Sequence, residues 1–331
     1  MFIVHNYALA VALCVLTMLC WGSWANSRKL ASKDWRFELF YWDYVLGVLL
    51  LALVVGLTLG SAGTEGHSFA PDLRQASGKN VGLALLGGAI FNLANILLVA
   101  AIEVAGMAVA FPVGIGLALL IGVLVNYLAD PVGNGPLLAL GVALVTVAII
   151  LDAIAYRRLG SVSVTTRGLL LAVASGIFMG LFYRFVAAAM YADPAHPVPD
   201  KMGSYAAFFV FSVGVFLSSF LWNTLAMKKP IVGSPVGFAS YFRGTLGNHL
   251  TGVMGGIIWG IGMSTNLIAS GRAGFAISYG LGQGATMIAA LWGVFVWKEF
   301  RLAPKGTSAL LAAMFACFLS GLALIVAART L

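Results

Sequence analysis

Charge is what this chain has least of. Only 9% of its 331 residues are Asp, Glu, Lys or Arg, against 61% that are hydrophobic. That balance excludes an ordinary water-soluble domain, and no connector is polar and long enough to form one. Cysteine is scarce as well. Cys14, Cys20 and Cys317 all fall in apolar stretches, which excludes a disulfide framework and suits small buried side chains. The histidines, His5, His67, His196 and His249, lack metal-ligand spacing, so no metal is expected. No GxxxxGK[ST] loop is present to support ATP-driven pumping, and no nucleophile–base pattern occurs. The chain reads as a non-enzyme without a cofactor. Its start also lacks the basic and small-residue pattern of a cleaved signal, so the first apolar segment is expected to remain in the mature protein.

What is there is a row of apolar segments: Tyr7–Trp24, Leu39–Gly60, Val81–Ile102, Met107–Leu128, Pro136–Tyr156, Gly168–Met190, Tyr205–Met227, Leu250–Ser270, Gly274–Trp297 and Thr307–Ala328. Roughly 20 apolar residues in a helix cross a bilayer core of ~30 Å. In lipid every backbone polar group needs an internal partner, and continuous apolar runs select helices over a barrel. The expected fold is therefore an all-α polytopic membrane protein, one transmembrane domain over residues 1–331, in contact with membrane lipid.

The 19 Lys and Arg are spread thinly between these segments, so no basic run tracks a nucleic acid backbone. Connectors 1–2, 5–6, 7–8 and 9–10 hold 13 of them, and the opposite side holds Arg74, Lys79, Lys201, Arg272 and Arg329. The positive-inside rule then places the basic connectors in the cytoplasm and both termini outside an inner (plasma) membrane.

Sliding the chain against itself by 168 positions aligns residues 79–116 with 247–284 without a gap. Ten of the 38 pairs are identical, among them Asn80/Asn248, Gly87/Gly255, Gly88/Gly256 and Gly106/Gly274. Composition this biased gives roughly 3 by chance, which points to a duplication. The match pairs span 3 with span 8 and span 4 with span 9. Repeats of about 1–160 and 161–331, each with an odd number of spans, must insert in opposite orientations. Two inverted five-helix repeats suit alternating access around a midplane site.

Polar side chains at mid-depth are costly and point to a site. In span 3, Asn92 and Asn95 share a face with Gly88 and Val99, at i, i+4, i+7 and i+11. In span 9, Tyr279, Gln283 and Thr286 share another, with Ser278 adjacent. Binding a solute and bonding one helix to another are both open to these residues. Arg184, beside Tyr183, lies well inside span 6; it either snorkels to the outer interface or meets a substrate carbonyl. Trp21 and Trp24 are belt anchors or a stacking surface for a ring. Asp43, within Phe40-Tyr41-Trp42-Asp43-Tyr44, is an interfacial residue or a coupling and gating group. Glu38, Glu103, Asp152 and Glu299 stand at span ends and read as caps or interfacial pairs, with Glu38 a second gating candidate. No central carboxylate and only one buried cation are in view, so the interior suits an uncharged, hydrogen-bonding solute: a sugar, nucleoside or ureide.

Cys20-Trp21-Gly22-Ser23-Trp24 and Trp35-Arg36-Phe37-Glu38-Leu39-Phe40-Tyr41-Trp42-Asp43-Tyr44 resemble the opening of the plant ureide permeases and their bacterial relatives. Ser240-Tyr241-Phe242-Arg243-Gly244 and Gly255-Gly256-Ile257-Ile258-Trp259 resemble their span 7–8 connector and span 8. The ten-span layout is similar to the wider drug/metabolite transporter superfamily, with the glucose/ribose and rhamnose sugar-uptake porters as a neighbouring branch. The resemblance implies secondary active import of a small molecule, coupled to a proton or sodium ion, by a monomer or homodimer. Residues 157–167 are too short for the long central cytosolic connector of the plant proteins. Candidate solute contacts are thus Asn92, Asn95, Gln283, Tyr279, Trp21, Arg184 and Tyr183, with Asp43 and Glu38 for coupling or gating. An exporter of amino acids, metabolites or drugs is the rival reading.

Overall fold

The computed structural model describes residues 1–160 and 165–331; of the short central connector, residues 161–164 lie outside the described residues. Among the described residues, ten helices are long and apolar enough to cross a membrane: Tyr7–Leu30, Phe37–Leu57, Gly78–Ala105, Pro112–Ala129, Gly135–Arg157, Thr166–Ala189, Ser204–Lys228, Leu246–Ala273, Phe275–Val296 and Thr307–Ala327. They are spans 1 to 10 below. No strand occurs among the described residues. The protein is an all-helical, multi-pass membrane protein. Large apolar side chains such as Leu128, Leu170, Phe220 and Leu319 stand exposed on its outside, as a lipid-facing surface requires.

Three spans depart from a regular α-helix. Span 1 tightens into a 3-10 helix at Trp24–Leu30. The chain approaches span 4 through the short helix Met107–Ala110 and a π turn at Phe111–Ile115. Span 9 is the α-helix Phe275–Gly282, a break at Gln283 and Gly284, the helix Ala285–Leu291, and a π turn at Trp292–Val296. Glycine-rich sequence permits this, since Gly280, Gly282 and Gly284 weaken the helix where it turns.

Spans 3 and 8 are built alike. Ser77 caps span 3 by accepting from the Asn80 N–H at 3.4 Å, and Thr245 caps span 8 by accepting from the Asn248 N–H at 3.3 Å. Both helices end on a glycine outside the range of other residues, Gly106 at φ 73, ψ 165 and Gly274 at φ 88, ψ 152. Asn80 then donates to the Asp200 carbonyl in connector 6–7, and Asn248 to Ser32 in connector 1–2. Span 3 packs on spans 6 and 7, span 8 on spans 1 and 2. A Cβ at Gly88 would collide with the Phe211 carbonyl of span 7, and one at Gly256 with the Tyr44 carbonyl of span 2. These glycines let the helix backbones touch, which is how helices associate where lipid removes the hydrophobic drive.

At the end away from the basic connectors, the short helix Phe69–Gln75 is tied to connector 6–7. The buried Asp72 carboxylate accepts from the Gly203 N–H at 2.7 Å, Tyr191 at 3.3 Å and Gln75 at 3.3 Å. Burial raises its carboxyl above the ordinary range, and those donors, with the nearby His67, offset part of the rise.

Candidate functional site

A cavity of about 630 Å³ runs from the middle of the bundle to the end that carries connector 1–2. Its mouth is charged, with Arg28, Lys29, Lys33 and Glu103. Its walls are aromatic: Trp21, Trp24, Trp35, Phe37, Phe91, Phe182 and Trp259. Its deep end carries Asn95, Met179, Gln283 and Thr286. No metal-ligating cluster occurs among the described residues.

The wall is organised around Trp259 of span 8. Phe91 lies 4.4 Å from it between centroids, and Trp21 stacks at 5.9 Å with 13° between the planes. Trp21 reaches that position because Gly262 and Gly282 leave room: a Cβ on either would press into its indole. Trp24 meets Tyr44 at 4.8 Å behind the same wall. Such a surface stacks on a planar solute.

The polar groups are few and neutral. Asn95 donates to the Tyr41 hydroxyl at 3.2 Å, which fixes its amide and leaves its carbonyl oxygen without a partner among the described residues. Gln283 sits at the break in span 9. Its backbone carbonyl accepts from the Thr286 hydroxyl at 3.0 Å, while its side-chain amide makes no hydrogen bond among the described residues. Gln283 reaches the cavity, whereas Tyr279, one turn earlier, packs beyond its deep end.

The other expected contacts lie in the helix interfaces. Asn92 donates to the Val215 carbonyl at 3.1 Å and to Ser218 and Ser219 at 2.8 and 3.0 Å, joining span 3 to span 7. Tyr279 donates to the Met179 carbonyl at 3.0 Å and reaches that of Ala118 at 3.2 Å. Tyr183 pairs with Ser278 at 3.2 Å. Both tyrosines are fully buried and fill the layer beyond the deep end. Arg184 is half-buried and makes no hydrogen bond or ion pair among the described residues, and it does not line the cavity.

Asp43 and Glu38 lie at the basic end beside the mouth. Asp43 is buried and accepts from the Tyr241 hydroxyl at 2.7 Å and from His249 Nδ1 at 2.9 Å, so it binds connector 7–8 and span 8 to span 2. Burial and the facing Asp43 carboxylate push the Tyr241 phenol above its ordinary range. Glu38 pairs with Arg36, whose guanidinium also donates to the Ser234 and Val232 carbonyls of connector 7–8. Glu299 pairs with Lys29 at 3.7 Å. Two acids stand near span ends without the pairing expected of them: Glu103 opens onto the cavity, and Asp152 is buried with Oδ1 unpartnered among the described residues.

Sequence reasoning missed Trp259, Phe91, Phe182 and the charged mouth. Trp259 closes the Gly-Gly-Ile-Ile-Trp string, and Phe91 precedes Asn92; an indole or phenyl set among glycines was the available signal.

The sequence profile described as ureide permease matches residues 40–161 and 155–328. This chain belongs to the ureide permease family. Ureide permease 1 of Arabidopsis thaliana is 23% identical over 99% of this chain and 98% of its own length. Ureide permease 4 and ureide permease 2 of the same plant are 22% and 23% identical, each with the same two coverages of 99% and 98%. The first alignment extends over 387 positions, more than the 331 residues of this chain, so that relative carries residues absent here. The two profile matches meet at 155–161, the central connector. A solved crystal structure matches 98% of this chain and 99% of its own with a TM-score of 0.64 at 20% identity, which shows the fold alone. As a family member the protein is a membrane permease, and the relatives named are permeases, not enzymes.

Proposed function

We propose that this ureide permease homologue imports a small neutral ureide by alternating access, coupled to protons. The observation that carries the reading is Gln283, a nearly buried amide that opens onto a cavity and has no hydrogen-bond partner among the described residues. An unmet buried amide costs about 1–3 kcal/mol, which a hydrogen-bonding solute or water offsets. Asn95 offers a carbonyl oxygen, and Trp21 with Trp259 offers a stacking face. A ureide has the complementary set: a flat, uncharged skeleton edged by N–H and C=O groups.

Asn92, Tyr279 and Tyr183 act through the helices they join, and Arg184 stands at the far end near that closed layer. Asp43 and Glu38 gate the mouth through their ties to connector 7–8. The positive-inside rule makes the open end cytoplasmic, so the cavity faces inward. The matched caps, glycine ends and exchanged neighbours of spans 3 and 8 support halves of about 1–160 and 161–331 related as inverted repeats. Such halves can exchange roles to open the other end.

The test is binding by purified protein. Excess allantoin should raise the apparent unfolding temperature where sugars and nucleosides do not; a hundredfold excess over Kd is worth ~2.7 kcal/mol. Gln283→Ala should weaken binding by about tenfold, the value of one hydrogen bond near 1.4 kcal/mol. Unchanged affinity would remove Gln283 from the site.

A further inference from the structure

Asp152 belongs to neither the cavity wall nor any cap. It lies one turn from the end of span 5 and is 6% exposed, and its Oδ1 has no hydrogen-bond partner among the described residues. A carboxylate left ionised there would be a buried, uncompensated charge, the most expensive state such a group can take. No ion pair reaches it among the described residues. Span 10, packed along span 5, carries no charged residue between Thr307 and Ala327, and its titratable side chain is Cys317. Span 4 carries none between Pro112 and Ala129 apart from the distant phenol of Tyr127. The charge whose field reaches Asp152 is another carboxylate, Glu299.

Glu299 is held on both oxygens. Tyr156, one turn beyond Asp152 on the same helix, donates to Oε2 at 2.9 Å. Lys29 stands 3.7 Å from Oε1 and packs over the Trp297 ring at 4.0 Å. The π turn at the end of span 9 makes this possible, because Gly293 leaves no side chain between Tyr156 and Glu299. Lys29 also lines the cavity mouth.

We propose that Asp152 is the proton-binding residue of this carrier, with Tyr156, Glu299 and Lys29 linking it to the mouth. A buried carboxyl with neither a hydrogen-bond partner nor a cation is stable in its protonated form. Ionised Asp152 places a second negative charge beside the Tyr156–Glu299–Lys29 chain, and protonation removes it. Proton occupancy thereby changes the charge next to a contact that borders the solute path. Proton binding stands on the side chains alone; its coupling to solute rests on the carrier reading above.

Two measurements keep those apart. Infrared titration of the purified protein should show, at neutral pH, the carbonyl stretch of a protonated carboxylic acid. Asp152→Asn should abolish it, and Glu299→Gln should move its titration to lower pH by removing the neighbouring charge. A band absent from the parent protein, or retained in Asp152→Asn, overturns the site. In proteoliposomes, Asp152→Asn should turn gradient-driven accumulation of allantoin into mere equilibration, while Lys29→Ala should lower accumulation but leave the infrared band in place. Accumulation by Asp152→Asn equal to that of the parent overturns the coupling role. If the parent moves no ureide at all, the carrier reading fails, and the infrared result still decides the proton site.

Discussion

Asn92 and Asn95 show what a sequence can and cannot say about single residues. Both fall on one face of span 3, and spacing alone assigns them the same role. Three positions along a helix leave them about 60° apart in direction, and that angle separates an interhelical brace from a cavity contact. Asn95→Ala is expected to weaken ureide binding more than it lowers the melting temperature. Asn92→Ala is expected to do the reverse, leaving Ser218, Ser219 and the Val215 carbonyl without their donor at a cost of about 1–3 kcal/mol. Equal effects of the two substitutions on affinity would contradict the assignment. Asp72 supplies a test by pH. Its carboxyl is raised by burial, so the folded protein keeps that proton to higher pH than the unfolded chain. Its contribution to stability is then complete below the ordinary carboxylate value and is lost as pH rises through the raised one. Melting temperatures of parent and Asp72→Asn, followed from acid to neutral pH, should diverge with that sign; a constant difference would show that Asp72 does not titrate differently on folding.

The elements were the most legible part of the chain. Apolar runs of membrane length cannot be much else, and the ten spans lie close to where hydropathy puts them. The interruptions were not legible. The break at Gln283 and the π turns at Phe111–Ile115 and Trp292–Val296 depend on tertiary packing, and a glycine-rich sequence permits them without requiring them. Tyr279 and Gln283 are four residues apart on one helical turn, and depth divides them: Tyr279 lies in a packed layer and Gln283 at the cavity. The glycines that end spans 3 and 8 are the clearest element-scale signal, since Gly106 and Gly274 occupy a backbone region essentially closed to other residues. Gly274→Ala should therefore destabilise the protein by about 1–3 kcal/mol, with Val132 adding a steric term because it sits 3.0 Å from the new Cβ. A melting temperature unchanged in Gly274→Ala would mean that the linker between spans 8 and 9 relaxes freely.

For the whole molecule, the proposed alternating access calls for a division of labour between walls that hardly change and ends that can. Glycine contacts join span 3 to span 7 and span 8 to span 2, and the aromatic wall rests on those pairs. The two ends differ. The main cavity opens at one, with Lys29, Glu299, Asp43 and connector 7–8 around it; towards the other it is closed by Tyr183 and Tyr279. A carrier needs that asymmetry to reverse while the deep polar groups stay in place. The most direct test is counterflow. Proteoliposomes preloaded with unlabelled allantoin and diluted into a trace of labelled allantoin should show a transient overshoot of internal label above equilibrium, reduced in Gln283→Ala. Entry no faster than into protein-free liposomes would contradict the account.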